Sequence, residues 1–329
     1  MHPLLEIYHP EIPDFLAPFF ETPELQRLRD VGMNCGCEYT RFPRFRHLPP
    51  YSRYRHSVGA ALITWHFTRK TAPTLAALFH DVASPAFSHS VDFLRGDYLR
   101  QEATEAGTEE ILRRSAVIPQ LLERLGLTAD DVKDYHRYPI ADNDAPRLSA
   151  DRLEYTLGNL LGYGYFNAEE LTRFYQDLRV AAAPDGAPEL AFSDAETARD
   201  FAFAALACSK IYVSDEDRYA MQRLAEVLRD AIARGVLSER TLWTTEPEVI
   251  AALEHDAQSR LTWEEFRALH RMVPGETAPD DRRRIVFAKK RHIDPLVAGQ
   301  GRVTELDAAF RAALREFLDQ PQERWICGE

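Results

Sequence analysis

The chain has 329 residues, 45% hydrophobic and 28% charged, with a formal net charge of −12 at pH 7. That length allows one large domain or two ordinary ones with a real core. The acidic balance argues against a general nucleic-acid binder, which needs Lys and Arg in excess on one face. No window approaches the roughly 18 consecutive apolar residues of a membrane span. The opening Met1-His2-Pro3-Leu4-Leu5-Glu6 lacks the basic and apolar regions of a signal peptide. Four cysteines, Cys35, Cys37, Cys208 and Cys327, are too few for a disulfide framework, so a reducing, cytoplasmic setting is expected.

Taken in order, the chain carries helical periodicity and few strand signals. Residues 23–32 predict a short helix with Thr22 as N-cap, Pro23 in the first turn and Gly32 past the end. Residues 38–55 hold five arginines and three prolines and predict a kinked basic loop, either solvated or the anion-binding wall of a site. A helix is expected from Ser57 to Lys70, just after His56, and another from Thr71 to Ala83. If the two run antiparallel, His56 lies near His80-Asp81. Residues 84–100 predict a turn and short helix, with further helices over 102–115 and 119–125 and a proline-punctuated loop over 134–148. Ser149 caps a helix whose first turn carries Asp151 and Arg152. Helices are then expected over 168–181, 195–212, 215–234, 246–256, 262–271 and 304–318. Residues 183–194 and 284–297 are the places for a turn and short strands, a hairpin at most. Without a repeat or a Gly/Ser linker, the expected organisation is a core over 1–170 and a helical region over 171–329 packed on it, as one continuous unit.

The metal-competent residues that begin or follow helices are His56, His80, Asp81 and Asp151. Two imidazoles and two carboxylates make a mixed nitrogen and oxygen shell with positions left for water and substrate. Such a shell suits one divalent ion, Mn, Fe, Ni or Zn with Mg also admissible, and is too hard for a structural zinc. An ion there acidifies water and holds a phosphate oxygen. Cys35-Gly36-Cys37 has no second pair at zinc spacing and reads as small buried thiols. Lys289-Lys290-Arg291-His292 reads as a solvated charge run, with an effector nucleotide or phosphate as the alternative.

Three segments are familiar: Tyr51-Ser52-Arg53-Tyr54-Arg55-His56-Ser57-Val58-Gly59, Leu78-Phe79-His80-Asp81 running on to Ser88-His89, and Asp151-Arg152-Leu153-Glu154-Tyr155. Together they resemble the HD-domain metal-dependent phosphohydrolases, nearest the branch of deoxynucleoside triphosphate triphosphohydrolases. The stretch from Thr22 to Arg29 also matches that branch, so four motifs stand in the right order over roughly residues 20–170. The resemblance implies an all-α fold: an HD-type helical core with additional C-terminal helices. It implies that His56, His80, Asp81 and Asp151 bind the ion, that Arg53 and Arg152 contact substrate phosphate, and that Tyr155 faces the sugar. It further implies a phosphorylated small-molecule substrate, a nucleotide foremost, and a homo-oligomer.

Two departures stand out. Where the branch has His-Asp-x-Gly-His, this chain has Ala83 and Ser84 in the last two places, and Gln101 precedes Glu102 where a histidine is usual. A general acid or base must then come from Glu102, Glu105, Asp92 or His89, since a carboxyl near a metal can be tuned to that work. The principal reading is a metal-dependent phosphohydrolase using activated water. The alternative is a catalytically reduced, nucleotide-sensing regulatory protein on the same scaffold.

Overall fold

The structure is a computed structural model that describes residues 3–99, 107–274 and 281–329. It is mostly helical, with two small sheets. At the N-terminus α1 (Pro3–Tyr8), α2 (Ala17–Phe20) and α3 (Pro23–Arg27) lead, through a tighter turn at Leu28–Asp30, into the loop that precedes the site. Thr22 begins α3 in extended conformation, but its hydroxyl donates to the Phe19 carbonyl rather than capping the helix.

The central helix α4 spans Arg53–Thr68, and Ser52 caps it by accepting from the Arg55 N–H. It starts four residues before the expected Ser57, so Arg53 and His56 lie in its first turns. Every residue from His56 to Thr64 is buried, as befits a helix surrounded on all sides. α5 (Thr71–Phe79) returns against it, and both are packed into the same core. α5 ends at Phe79, which puts His80 and Asp81 in the turn directly after it.

α6 (Ser90–Arg95), α7 (Thr108–Arg114), α8 (Ile118–Arg124) and α9 (Ala129–Val132) follow. α10 (Ala150–Gly162) is capped by Ser149, whose hydroxyl accepts from the Arg152 N–H, and it packs across α4. α11 (Ala168–Gln176) ends earlier than expected. Its predicted last residues form β1 (Leu178–Ala182), antiparallel to β2 (Pro188–Phe192). The Val180-Ala181-Ala182 run has no strong intrinsic preference, and cross-strand pairing decides it.

α12 (Ala195–Ile211) and α13 (Asp215–Ala233) come next, then α14 (Glu246–His255) and α15 (Ala257–Ala268). The remaining elements are β3 (Met272–Pro274), β4 (Arg284–Ile285), β5 (Leu296–Val297), β6 (Gly301–Arg302), α16 (Val303–Leu306), α17 (Ala308–Asp319) and β7 (Trp325–Gly328). One sheet runs β1-β2-β5-β6, with β5 parallel to β2; the other runs β3-β7-β4. The apolar residues form two clusters. One runs from Leu4 through α4, α5, α10 and α12 to Phe317. The other gathers α13, α15 and Ile326 around Cys37, Phe42 and Phe87. Each draws residues from both sides of position 170. Among the described residues no helix is long and apolar enough to cross a membrane.

Candidate metal centre and its pocket

Three chain segments converge where α4 begins, α5 ends and α10 begins. His56 Nε2 stands 3.1 Å from His80 Nε2 and 2.9 Å from Asp151 Oδ1. His80 Nε2 is 3.5 Å from the same Asp151 oxygen. Asp81 closes the set from the other side, with Oδ2 at 3.8 Å from His56 Nε2 and 3.5 Å from His80 Nε2. His56, His80 and Asp151 offer donor atoms all within 4.8 Å of one another; Asp81 falls outside that group, and its Oδ2 is engaged by Arg53 Nη1 at 2.8 Å.

The outer nitrogens of both rings are committed. His56 Nδ1 donates to Glu154 Oε2 at 2.6 Å, and His80 Nδ1 donates to the Ala77 carbonyl at 2.7 Å. A carbonyl can only accept, so His80 carries its proton on Nδ1 and turns an Nε2 lone pair inward. Glu154 imposes the same tautomer on His56. This is the outer-shell support expected of metal-ligating imidazoles. Bonds of about 2.0–2.1 Å to an ion would put neighbouring donors about 3 Å apart, close to the separations among His56, His80 and Asp151.

Glu154 is itself fully buried and accepts from the Tyr51 hydroxyl. Two glycines make room for it. A Cβ on Gly59 would come within 2.5–2.8 Å of the Glu154 side chain, and one on Gly158 would strike the Tyr51 ring and hydroxyl. Ser84 donates to Asp81 Oδ1 at 2.9 Å from a fully buried position, so its hydroxyl steadies the carboxylate. Arg53 holds the other oxygen, with Nη1 at 2.8 Å from Asp81 Oδ2, and its Nε reaches Ser88 Oγ at 3.0 Å.

The electrostatics agree with a cation site. Burial alone would lower His56, yet the hydrogen bonds and charges of Asp151 and Glu154 lift it to about 10. Burial works to raise Asp81 too, but Arg53 and both imidazoles hold it below the usual carboxylate range. Asp151 is held down by the two imidazoles in the same way.

A cavity of about 330 Å³ opens over this cluster. Arg53 and Tyr155 line it, and so does His89. The chain reaches His89 through two consecutive left-handed residues, Phe87 (φ 62°) and Ser88 (φ 47°). Left-handed backbone costs roughly 1–2 kcal/mol at a residue with a Cβ. Here it is held by full burial of the Phe87 ring, by the Phe87 N–H to Glu246 Oε1 bond at 3.2 Å and by the Ser88 contacts. His89 Nδ1 then donates to buried Asp92 at 2.9 Å. Burial lowers the ring's pKa, with Asp92 opposing and Arg291 and Arg53 reinforcing, so His89 is neutral at pH 7.

Other expected residues fall elsewhere. Asp92 is behind His89 and does not line the cavity. Arg152 does not line it either: its guanidinium is held by Asn143 Oδ1 at 2.8 Å, the Asn143 carbonyl at 2.6 Å and Asp142 at 3.0 Å. Successive helix residues lie about 100° apart around the axis, so when Asp151 faces the ion site Arg152 turns toward the 142–149 loop. Gln101, Glu102 and Glu105 lie outside the described residues.

Sequence reasoning missed Glu154, although Asp151 and Glu154 at i and i+3 share a helix face. It also missed Asp217 and Tyr212 on the cavity wall, and it read Lys289 and Arg291 first as a solvated run, with nucleotide or phosphate binding only as the alternative.

No protein-family model matches the chain. It is 28% identical over 209 residues to the uncharacterized protein YdhJ of Bacillus subtilis, a match spanning 61% of each chain and thus less than two thirds of that relative's length. It is 25% identical over 317 residues to the metal-dependent phosphohydrolase cns2 of Cordyceps militaris, covering 90% of this chain and 84% of that one. Its fold is shared with a hypothetical protein from Aquifex aeolicus of known crystal structure, with TM-score 0.64 and 16% identity, over 92% of this chain and 90% of that one.

Proposed function

We propose that the chain is an HD-type metal-dependent phosphohydrolase, nearest the deoxynucleoside triphosphate triphosphohydrolase branch, acting on a nucleotide or another small phosphate ester. His56, His80, Asp81 and Asp151 would hold one divalent transition-metal ion, Mn, Fe, Ni or Zn. The observation that carries the reading is the pair of Nε2 lone pairs turned toward two carboxylates, each ring fixed from behind. The similarity to a metal-dependent phosphohydrolase over 90% of the chain supports it. A bound ion supplies an acidified water and polarises a phosphoryl oxygen.

The chain's own residues do the rest. Arg53 keeps Asp81 ionised and aimed, and presents its guanidinium to the cavity. His89, oriented by Asp92, shows an unprotonated Nε2 to the cavity. It would take the proton of the attacking water as the new P–O bond forms, while the leaving oxygen, on the far side of phosphorus, would draw its proton from solvent as the old P–O bond breaks. Tyr155, Tyr163 and Tyr212 line the cavity with aromatic surface, which suits the sugar and base of a nucleotide.

Replacing Asp81 with Ala should abolish both bound metal and turnover in a nucleotide and phosphomonoester panel. Retention of both rejects the reading. One observation favours the regulatory alternative: Ser84 stands where the branch carries a histidine, and its hydroxyl points to Asp81. Thermal stabilisation by nucleotides with no turnover of any would decide for that alternative.

A further inference from the structure

The run Lys289-Lys290-Arg291 is split by its backbone. Residues 286–295 contain neither helix nor strand, and side chains next to one another in this segment take different surroundings. The segment is pinned along its length. The Ala288 N–H donates to Gln322 Oε1 at 2.7 Å, and its carbonyl accepts from Gln322 Nε2 at 3.1 Å. The Val286 carbonyl accepts from Arg218, and the Asp294 N–H donates to the Pro146 carbonyl at 2.9 Å. Val286, Ala288 and Ile293 are buried. Lys290 turns away and donates to the Leu318 and Gln320 carbonyls at the end of α17, where a cation suits the helix dipole. Lys289 and Arg291 line the cavity above the candidate metal centre. Arg291 Nη2 is 3.3 Å from His89 Nε2.

We propose that Lys289 and Arg291 form the cationic wall that binds the substrate's phosphate, set by the C-terminal part of the chain beside candidate ligands that all come from its N-terminal part. The proposal rests on the phosphohydrolase reading above. Charge around the cavity supports it. Asp217, a third carboxyl on the cavity wall, is pushed up to about 8 by burial and is uncharged near pH 7. A chain with net charge −12 thus places two further cations beside a cavity and directs the neighbouring one out of it. Lys289, solvent-exposed, stands at the mouth, and half-buried Arg291 stands deeper, beside His89. A guanidinium matches two phosphate oxygens at once, while the ammonium acts as a point charge.

The test is calorimetric titration of the metal-loaded protein with inorganic phosphate, alongside the phosphatase panel. Arg291→Met should weaken phosphate binding by about tenfold or more, the size of one lost charge-assisted hydrogen bond. Lys289→Met should weaken it several-fold and flatten its salt dependence. Arg291→Lys should fall between wild type and Arg291→Met, and Lys290→Met should stay within twofold of wild type. Lys289→Met is at the surface, so it carries the test if the Arg291 variants fail to fold. Phosphate affinity within twofold of wild type in both Met variants, with turnover retained, overturns the wall and leaves the hydrolase reading standing. Absence of both phosphate binding and turnover in the wild type overturns the two together.

Discussion

His56 shows how much of this site depends on a neighbour that is not itself a donor. Its Nδ1 is held by Glu154, which also receives the Tyr51 hydroxyl inside the core. Glu154→Ala leaves those groups without their acceptor and lets the imidazole turn. Metal affinity should fall about 10–100-fold, the usual effect of losing an outer-shell partner. Titration of the stripped variant with metal, monitored by calorimetry, checks this, and unchanged affinity would refute the role. Gly59→Ala reaches the same carboxylate from the other side, because its Cβ would overlap the Glu154 side chain. Overpacking of this kind costs roughly 1–3 kcal/mol, to be read from the denaturant midpoint, with weaker metal binding alongside. That His56, His80 and Asp151 would meet was legible because donor chemistry and position at helix ends mark them one by one. Glu154 and Gly59 act only through neighbours that are far away in sequence, and Ser84 through Asp81 three residues before it, so single-residue chemistry does not reveal them.

At the scale of elements, helix ends place the donors. α10 begins at Ser149, whose hydroxyl accepts from the Arg152 N–H and donates to Asp142 at 2.9 Å. Ser149→Ala should cost about 1–2 kcal/mol, as for other N-caps, and should loosen Asp151 in the adjacent turn. Thermal unfolding with and without metal checks both effects; an unchanged midpoint contradicts the capping account. The Ser149 cap was readable because a polar cap precedes an apolar periodic run. The start of α4 was not. Its first turn, Arg53-Tyr54-Arg55, continues the composition of a basic, proline-rich loop, and only the Ser52 contact with the Arg55 N–H marks the boundary. The β1–β2 hairpin was half legible: the Pro184-Asp185-Gly186 turn was visible, but β1 is built from residues that would serve a helix as well.

Across the whole molecule, packing joins parts that the sequence keeps apart. Both apolar clusters cross position 170, and residues 289 and 291 reach a cavity that faces His56, His80 and Asp151. No local pattern carries such contacts, which is why the charge run read first as solvated surface and only second as a phosphate-binding segment. Several titrating groups also act together on global stability. Burial, with Glu246 beside it, pushes Glu38 up to about 8, and burial pushes Asp217 to about 8 as well. His56 without an ion sits at about 10. A group raised on folding stabilises below its unfolded pKa and loses that contribution as pH rises through the folded value. The metal-free protein should therefore lose melting temperature from about pH 5 to pH 9, and Glu38→Gln should flatten the slope. Protons and metal compete for His56, so added metal should raise the melting temperature more at pH 9 than at pH 6. A metal-free protein whose stability is flat or rises over that interval contradicts the assignment.

The central claim is that His56, His80, Asp81 and Asp151 hold one catalytic divalent ion. Elemental analysis of the purified protein and of Asp81→Ala, each assayed on one phosphatase panel, tests it most directly. The account predicts close to one transition-metal ion per wild-type chain with turnover of a phosphate ester, and loss of both in a variant that still folds. An equal metal content in the two proteins, or turnover that survives the substitution, would contradict it.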